Sequence, residues 1–313
     1  MDRNLALEFV RVTEAAAIAA SQWIGKGEAK KADGAAVKEM RARFNQIDFQ
    51  GTVVIGEGAK DEAPELYVGE KVGTGKGPKF DLAVDPLECT DSVAFGRYNA
   101  MSVIVAGAHK SLLSAPDVYM EKIAVGPKAK KVIKINATVA QNIKNTAKAL
   151  GKKVENITVC ILDRERHLKL IQEVRKAGAR VRLITDGDVA GAIAPCLPES
   201  GIDMLLGIGA SAEAVLAAVA IKTLGGQMLV KFSDHKEKHV KLIKEAGFNL
   251  NKVLSVEDLA KGKTLTFTAT GIIDGPLLQG VKETQGQKIT HSLVIRAQSG
   301  TIRYITTHHY GKI

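Results

Sequence analysis

Apolar positions change rhythm twice along the chain. Over residues 4–23 they recur at helical spacing through an Ala-rich middle, which predicts a long helix ended by Gly25-Lys26-Gly27. A second helix is expected over 35–44. The pattern then shortens into β-branched runs, 52–55 closed by Gly56-Glu57-Gly58 and 80–84 closed by Asp85-Pro86. Residues 101–106 and 112–113 read as two further strands forming a hairpin. From 132 onward strands and helices alternate. Strands are expected at 132–135, 157–162, 181–185 and 204–208. Helices are expected at 139–150, 166–177, after Asp188, and at 213–224. Three strands follow at 264–269, 291–296 and 302–306. This rhythm predicts a layered α/β chain with a boundary near residue 132.

Composition narrows the class. With 313 residues, 45% of them apolar and 25% charged, the chain can bury a real core and is not wholly disordered. No apolar run reaches the length of a membrane span, and the N-terminus lacks a signal-peptide core. Cys89, Cys160 and Cys196 are odd in number and widely separated. That argues against a disulfide framework or zinc cluster and for a reducing, cytoplasmic setting. The net charge is +10, with −1 on residues 1–130 and +11 on the rest. Such asymmetry permits nucleic acid, anionic membranes or small anions as partners. The chain has no interleaved aromatics of the kind that nucleic-acid modules carry, so neither nucleic acid nor membrane is expected.

Acidic side chains recur where predicted strands end. Glu57 follows the first; Asp85 and Glu88 follow the second in Asp85-Pro86-Leu87-Glu88-Cys89-Thr90. Asp186 and Asp188 flank Gly187 at a third, and Glu213 follows Gly209-Ala210-Ser211-Ala212. Open α/β sheets bind ligands beyond the carboxyl ends of their strands. Carboxylates gathered there repel one another and an anion alike unless divalent cations reverse the sign. Pro86 holds Asp85 extended, and Glu88, three residues on, can return to the same side of the turn. The same residues also suit an ordinary acidic turn with a helix cap.

Other candidates read more plainly as structure. Cys89 is a small-residue replacement rather than a nucleophile, since adjacent carboxylates disfavour a thiolate. Cys160 lies in a core strand, and His167 is structural. His308 and His309 face opposite sides of a strand. Gly73-Thr74-Gly75-Lys76-Gly77 lacks the spacing of a phosphate loop and reads as a turn. Lys128, Lys130, Lys131 and Lys134 form a solvated face.

Taken in order, the motifs resemble those of the lithium-sensitive, metal-dependent sugar phosphatases, and most closely class II fructose-1,6-bisphosphatases. They include Val53-Val-Ile-Gly-Glu-Gly58, Tyr67-Val-Gly-Glu-Lys71, Asp85-Pro-Leu-Glu-Cys-Thr90 and Asp117-Val-Tyr-Met-Glu-Lys122. Arg164-Glu-Arg-His167, Asp186-Gly-Asp-Val-Ala190 and Thr268-Ala-Thr-Gly-Ile272 continue the series. The resemblance implies an α/β/α/β/α fold of two α/β subdomains with the metal site between them. Residues 1–132 would form a metal-binding part and 133–313 a sugar-phosphate part. It implies hydrolysis of the 1-phosphate of fructose 1,6-bisphosphate in gluconeogenesis, with two or three Mn²⁺ or Mg²⁺ ions, in a homo-oligomer. Asp33, Glu57, Asp85, Glu88 and Glu213 would hold metal. Asp61 and Thr90 would orient and deprotonate water. Glu88, Cys89, Thr90, Tyr119, Arg164, Glu165, Arg166, Asp186, Gly187, Asp188 and Ala210 would line the substrate site.

Three departures stand out. Cys89 replaces a Gly, and Gly209-Ala-Ser-Ala-Glu-Ala214 replaces Gly-Gly-Ala-Pro-Glu-Gly. The usual lysine near the second helix is missing from its position, leaving Lys30 and Lys31 as candidate substitutes. Sedoheptulose bisphosphate, an inositol monophosphate, and a weakly active or inactive anion-binding relative stay open at this point.

Overall fold

The computed structural model describes residues 5–58, 65–233, 237–284 and 286–311. The chain opens with helices α1 (Leu5–Ser21) and α2 (Ala29–Phe44), then β1 (Gln50–Ile55), β2 (Lys71–Val72), β3 (Lys79–Glu88), the short α3 (Thr90–Phe95) and β4 (Ala100–Ala108). It continues through β5 (Tyr119–Val125), α4 (Val139–Leu150), β6 (Thr158–Leu162), α5 (Leu168–Lys176), β7 (Arg180–Ile184), α6 (Val189–Ile193) and β8 (Met204–Ala210). There follow α7 (Ser211–Thr223), β9 (Gln227–Phe232), α8 (Glu237–Glu245), β10 (Leu254–Ser255) and α9 (Val256–Leu259). Last come β11 (Leu265–Ile273), β12 (Lys282–Thr284), β13 (Gln287–Arg296) and β14 (Thr301–Tyr310). Among the described residues, no helix is long and apolar enough to cross a membrane.

The fold is mixed α/β, built on two sheets in two compact units. One unit joins Met1–Ser114 to Lys261–Ile313; the other is Ala115–Ala260. The sequence reading had instead cut the chain once, at 132. It could not see that the C-terminal strands return, because the pairing of β11 with β4 links residues more than 150 positions apart.

In the first unit the strand order is β12-β13-β11-β4-β3-β1-β2, with β14 on β13. Its core lies between the sheet and helices α1 and α2, where Phe9, Phe44 and Phe49 meet with ring centroids 5.5 to 6.1 Å apart. Buried Thr13 on α1 reaches Thr270 on β11 at 2.7 Å, and Thr270 reaches Ser292 at 2.7 Å, so these three hydroxyls satisfy one another. The expected break after α1 is present: Gly25 and Gly27 have φ of +72° and +71°.

In the second unit the order is β10-β9-β5-β8-β6-β7. Ile123 and Val125 of β5, Val159 and Ile161 of β6, and Met204 and Leu206 of β8 face a core shared with α4 and α5. Alternate residues face the other way; Gly191 of α6 sits so close to Cys160 and Leu205 that a Cβ would lie 3.0 and 3.1 Å from their side chains. Helices therefore cover both faces.

Several elements differ from expectation. The second helix begins at Ala29, not 35. Residues 112–113 form no hairpin strand, since β4 pairs with β3 and β11. Residues 132–135 are not a strand either. Their alternating pattern instead sends Ile133 into the α4 core, while the Asn142 amide satisfies the Lys134 N–H and C=O, both at 2.9 Å. β5 and β9 escaped notice. In β5 a buried lysine, Lys122, interrupts the apolar run.

Cys160 and Cys196 are free, buried thiols. Burial pushes both up to about 12, helped at Cys160 by the charge of Asp188. At pH 8 the native protein should leave both thiols unalkylated by iodoacetamide. Alkylation should follow once guanidinium unfolds the chain, and mass spectrometry of the labelled peptides reads the result.

Candidate active site

Of the carboxylates expected in the first unit, Glu57 and Asp85 lie at one sheet edge, Glu88 is the last residue of β3 and Asp33 is on α2. β1 and β3 are parallel neighbours, with Ile55 opposite Ala83. Glu57 and Asp85 each lie two residues beyond that pair, so both occupy the same edge. Asp33, on α2, is close enough to raise the pKa of Glu57. Burial, with Asp33 second, pushes Glu57 up to about 7, and burial also raises Asp33. Among the described residues neither carboxylate is ion-paired.

Asp85 and Glu88 are brought onto one face by a defect in the ladder. Asp85 pairs with Val103 and Glu88 with Met101, so three steps on β3 match two on β4. The extra residue lies in the bulge at Pro86-Leu87, where a missing N–H is tolerated. In a regular strand, residues three apart face opposite sides; the bulge cancels that alternation. The Asp85 carboxylate also accepts the Leu87 N–H at 3.2 Å. Glu88 is buried and accepts the Cys89 thiol.

Between β3 and α3 the chain turns at Cys89, whose φ is +75° and ψ is 54°. Its carbonyl accepts the Ser92 N–H at 2.9 Å, and its sulfur receives the Asn99 amide at 3.3 Å. Thr90 then opens α3, its hydroxyl on the Leu87 carbonyl at 3.1 Å. Asp61, expected beside Thr90, lies outside the described residues. Among the described residues no three His, Cys, Asp or Glu side chains already converge as a metal cage. The donor set is nevertheless all carboxylate oxygen, and the charge of Asp33 adds to burial in raising Glu57. Such a set fits a hard divalent cation.

In the second unit, the expected substrate residues also share one edge. β6, β7 and β8 are parallel, and Tyr119 at the start of antiparallel β5 lies opposite Ala210 at the end of β8. Arg164 pairs with Asp186 at 3.2 Å. Arg166 donates twice to the Ile208 carbonyl, at 3.1 and 2.9 Å, and lies 4.9 Å from the Tyr119 ring. Glu165, between them, is exposed. His167 is buried, with Nδ1 against the Leu162 carbonyl and Nε2 accepting the Ile208 N–H, both at 2.8 Å. It fixes the arginine turn to β8. Gly187 takes φ +51° in the turn before Asp188.

Asp188 is buried, both its oxygens on Lys122 Nζ at 2.7 and 2.8 Å. Glu213 accepts the Ala210 N–H at 2.6 Å and Lys122 at 3.2 Å. Burial, then Asp188, raises the Glu213 pKa, and Lys122 opposes them. Burial would lower the Lys122 pKa, but Asp188 and Glu213 hold it above the usual range. Sequence reasoning gave Lys122 no role. Its signals are its place at the end of the Asp117–Lys122 motif and a lysine amid the apolar positions of 120–125. His239, whose Nδ1 accepts the Tyr119 N–H at 3.2 Å, was likewise unassigned.

The three departures have unequal weight. Ala210 is extended, with φ −70°, and Ala214 is mid-helix in α7, so neither position demands glycine. Lys31 pairs with Glu28 at 3.0 Å, and Lys30 is exposed on α2. Only Cys89 sits where glycine relieves the backbone. The left-handed conformation costs a side-chain residue roughly 1–2 kcal/mol, while glycine's extra freedom when unfolded returns roughly 0.5–1. Cys89→Gly should therefore melt at or slightly above the wild-type temperature, and β-branched Cys89→Val clearly below it. A destabilised Cys89→Gly in a thermal melt would mean that the bonds to Glu88 and Asn99 outweigh the backbone.

Residues 3–309 match the family described as bacterial fructose-1,6-bisphosphatase, glpX-encoded. The chain is 46% identical to "Fructose-1,6-bisphosphatase 1 class 2" of Escherichia coli K12, across 99% of this chain and 96% of that protein. The same identity and coverage hold for "Fructose-1,6-bisphosphatase class 2" of Shigella flexneri. Among solved structures, an extragenic suppressor from Pyrococcus furiosus aligns at 11% identity and a TM-score of 0.31. It covers 60% of this chain and 68% of its own, a likeness too slight to bear on the fold. With near-complete coverage and almost half its residues identical, this chain belongs to the glpX-encoded, class 2 fructose-1,6-bisphosphatase family.

Proposed function

We propose that this chain hydrolyses the 1-phosphate of fructose 1,6-bisphosphate, yielding fructose 6-phosphate and inorganic phosphate, in the cytoplasm and in the service of gluconeogenesis. The observation that carries this reading is family membership over residues 3–309, joined to Glu57 just past β1 and to Asp85 and Glu88 on one face of β3. The free, unbridged cysteines suit a reducing compartment.

Asp33, Glu57, Asp85, Glu88 and Glu213 would hold two or three Mn²⁺ or Mg²⁺ ions. When bound, such ions offset the charge of the phosphoryl oxygens and acidify coordinated water. The chain's own residues do the remaining work. Asp61 accepts a proton from the attacking water, which Thr90 orients. The new P–O bond forms as the bond to the C1 oxygen breaks, and that oxygen takes a proton from solvent while Asp61 returns its own. Arg164 and Arg166 offer planar donor pairs to the distal phosphate, a geometry that guanidinium and phosphate share. Tyr119 and the 186–188 turn border the sugar. Arg164 would exchange Asp186 for phosphate on binding. The backbone of Glu88, Cys89 and Thr90 flanks the phosphate that leaves.

Phosphate release from fructose 1,6-bisphosphate, sedoheptulose 1,7-bisphosphate and inositol 1-phosphate, each with Mn²⁺ or Mg²⁺, tests the reading. Fructose 1,6-bisphosphate should give the highest kcat/KM, and the monophosphate, which leaves the arginines without a second anion, the lowest. Thr90→Ala should lower kcat by about 10²–10⁴-fold with an unchanged melting temperature. Absence of turnover across several divalent ions would sink the assignment.

A further inference from the structure

Lys122 lies in the middle of β5, its side chain wholly buried. A lysine costs more to bury than almost any residue, so its surroundings must answer its charge. They do. Both oxygens of Asp188 stand at 2.7 and 2.8 Å from Nζ, and Glu213 at 3.2 Å. The two carboxylates come from different loops: Asp188 ends the turn after β7, and Glu213 opens α7 after β8. Opposite them the backbone is pared to glycine. A Cβ on Gly209 would stand 2.2 Å from Asp188 Oδ2 and 2.8 Å from Lys122 Nζ. Side-chain bulk there would drive the ion pair apart.

We propose that Lys122 is a positioning residue for the phosphatase reaction, a built-in counter-charge that ties the 186–188 turn and the first turn of α7 into one fixed arrangement. It touches neither substrate nor metal, and acts through the two carboxylates it holds. Without it, two like charges buried beside one another would push their loops apart. With it, Glu213 stays aimed while its other contact, the Ala210 N–H, holds the end of β8. The inference rests on the reading of Glu213 as a metal ligand and of the 186–188 turn as part of the sugar-phosphate site.

The test compares wild type with Lys122→Met, Lys122→Arg and Gly209→Ala, the last leaving the ammonium in place but crowding the pair. Two readouts need no turnover: Mn²⁺ binding to metal-free protein by electron paramagnetic resonance, and calorimetric binding of fructose 6-phosphate. Steady-state kinetics supply the third. Lys122→Met and Gly209→Ala should weaken Mn²⁺ and sugar-phosphate binding by about 10–100-fold, the range for residues behind a metal ligand. KM should rise more than kcat falls, and Lys122→Arg should recover part of the loss. If Lys122→Met does not fold, the double variant Lys122→Met/Asp188→Asn, which removes one charge of each sign, takes its place. Folded variants that bind both ligands within twofold of wild type would overturn the proposal, as would failure of every variant to fold, which would make Lys122 a requirement of the fold alone. A wild type that binds both ligands without turning over the bisphosphate would instead count against the proposed function and leave the binding comparison intact.

Discussion

Everything at the candidate site follows from carboxylates placed where strands end, and from the cost of keeping like charges together away from water. The two units meet that cost differently. In the second, the chain supplies its own cation: Lys122 answers Asp188 and Glu213 from inside the sheet. In the first, burial raises the hold of Asp33 and of Glu57 on protons, with the charge of Asp33 adding to it at Glu57, and among the described residues neither has an ion-pair partner. A divalent ion would supply there what the ammonium supplies in the second unit. The acidic pair of the second unit thus shares one internal cation.

Local chain geometry is what makes the first cluster possible. The Asp-Pro-Leu-Glu run is legible as an acidic turn, but its use depends on a one-residue bulge that sets Asp85 and Glu88 on the same face. The left-handed turn at Cys89 then reverses the chain into α3 and presents Thr90. The φ of +75° at this turn is one that glycine adopts without strain and a side-chain residue does not. The alanines at 210 and 214 have no such reason against them. Of the three departures, only the one at 89 falls where the backbone itself favours glycine.

Much of this was legible in the sequence. The long first helix, the strand ending at Ile55, the start of β3 and the alternation through α4–β6–α5–β7–α6–β8–α7 follow from local apolar spacing, whereas β3 runs on through Pro86 to Glu88, past the end expected at 84. Local spacing could not reveal the return of β11–β14 to the first sheet, which depends on long-range pairing. It also misread 132–135, where side-chain amide bonds from Asn142 replace a strand partner. Lys122 was hidden for the opposite reason: its charge made a central strand look like a surface one. Arg166 and His167 were recognised by type, yet their joint grip on the peptide groups of Ile208 is visible only in three dimensions.

The central claim is that the carboxylates of the first unit await a divalent cation. It is tested most directly by titrating metal-free protein with Mn²⁺ and following free Mn²⁺ by electron paramagnetic resonance, for wild type, Glu57→Gln and Asp85→Asn. Saturable binding by wild type, weakened at least about tenfold in each variant with circular dichroism unchanged, is the predicted result. Equal binding by all three, or none by wild type, would contradict it.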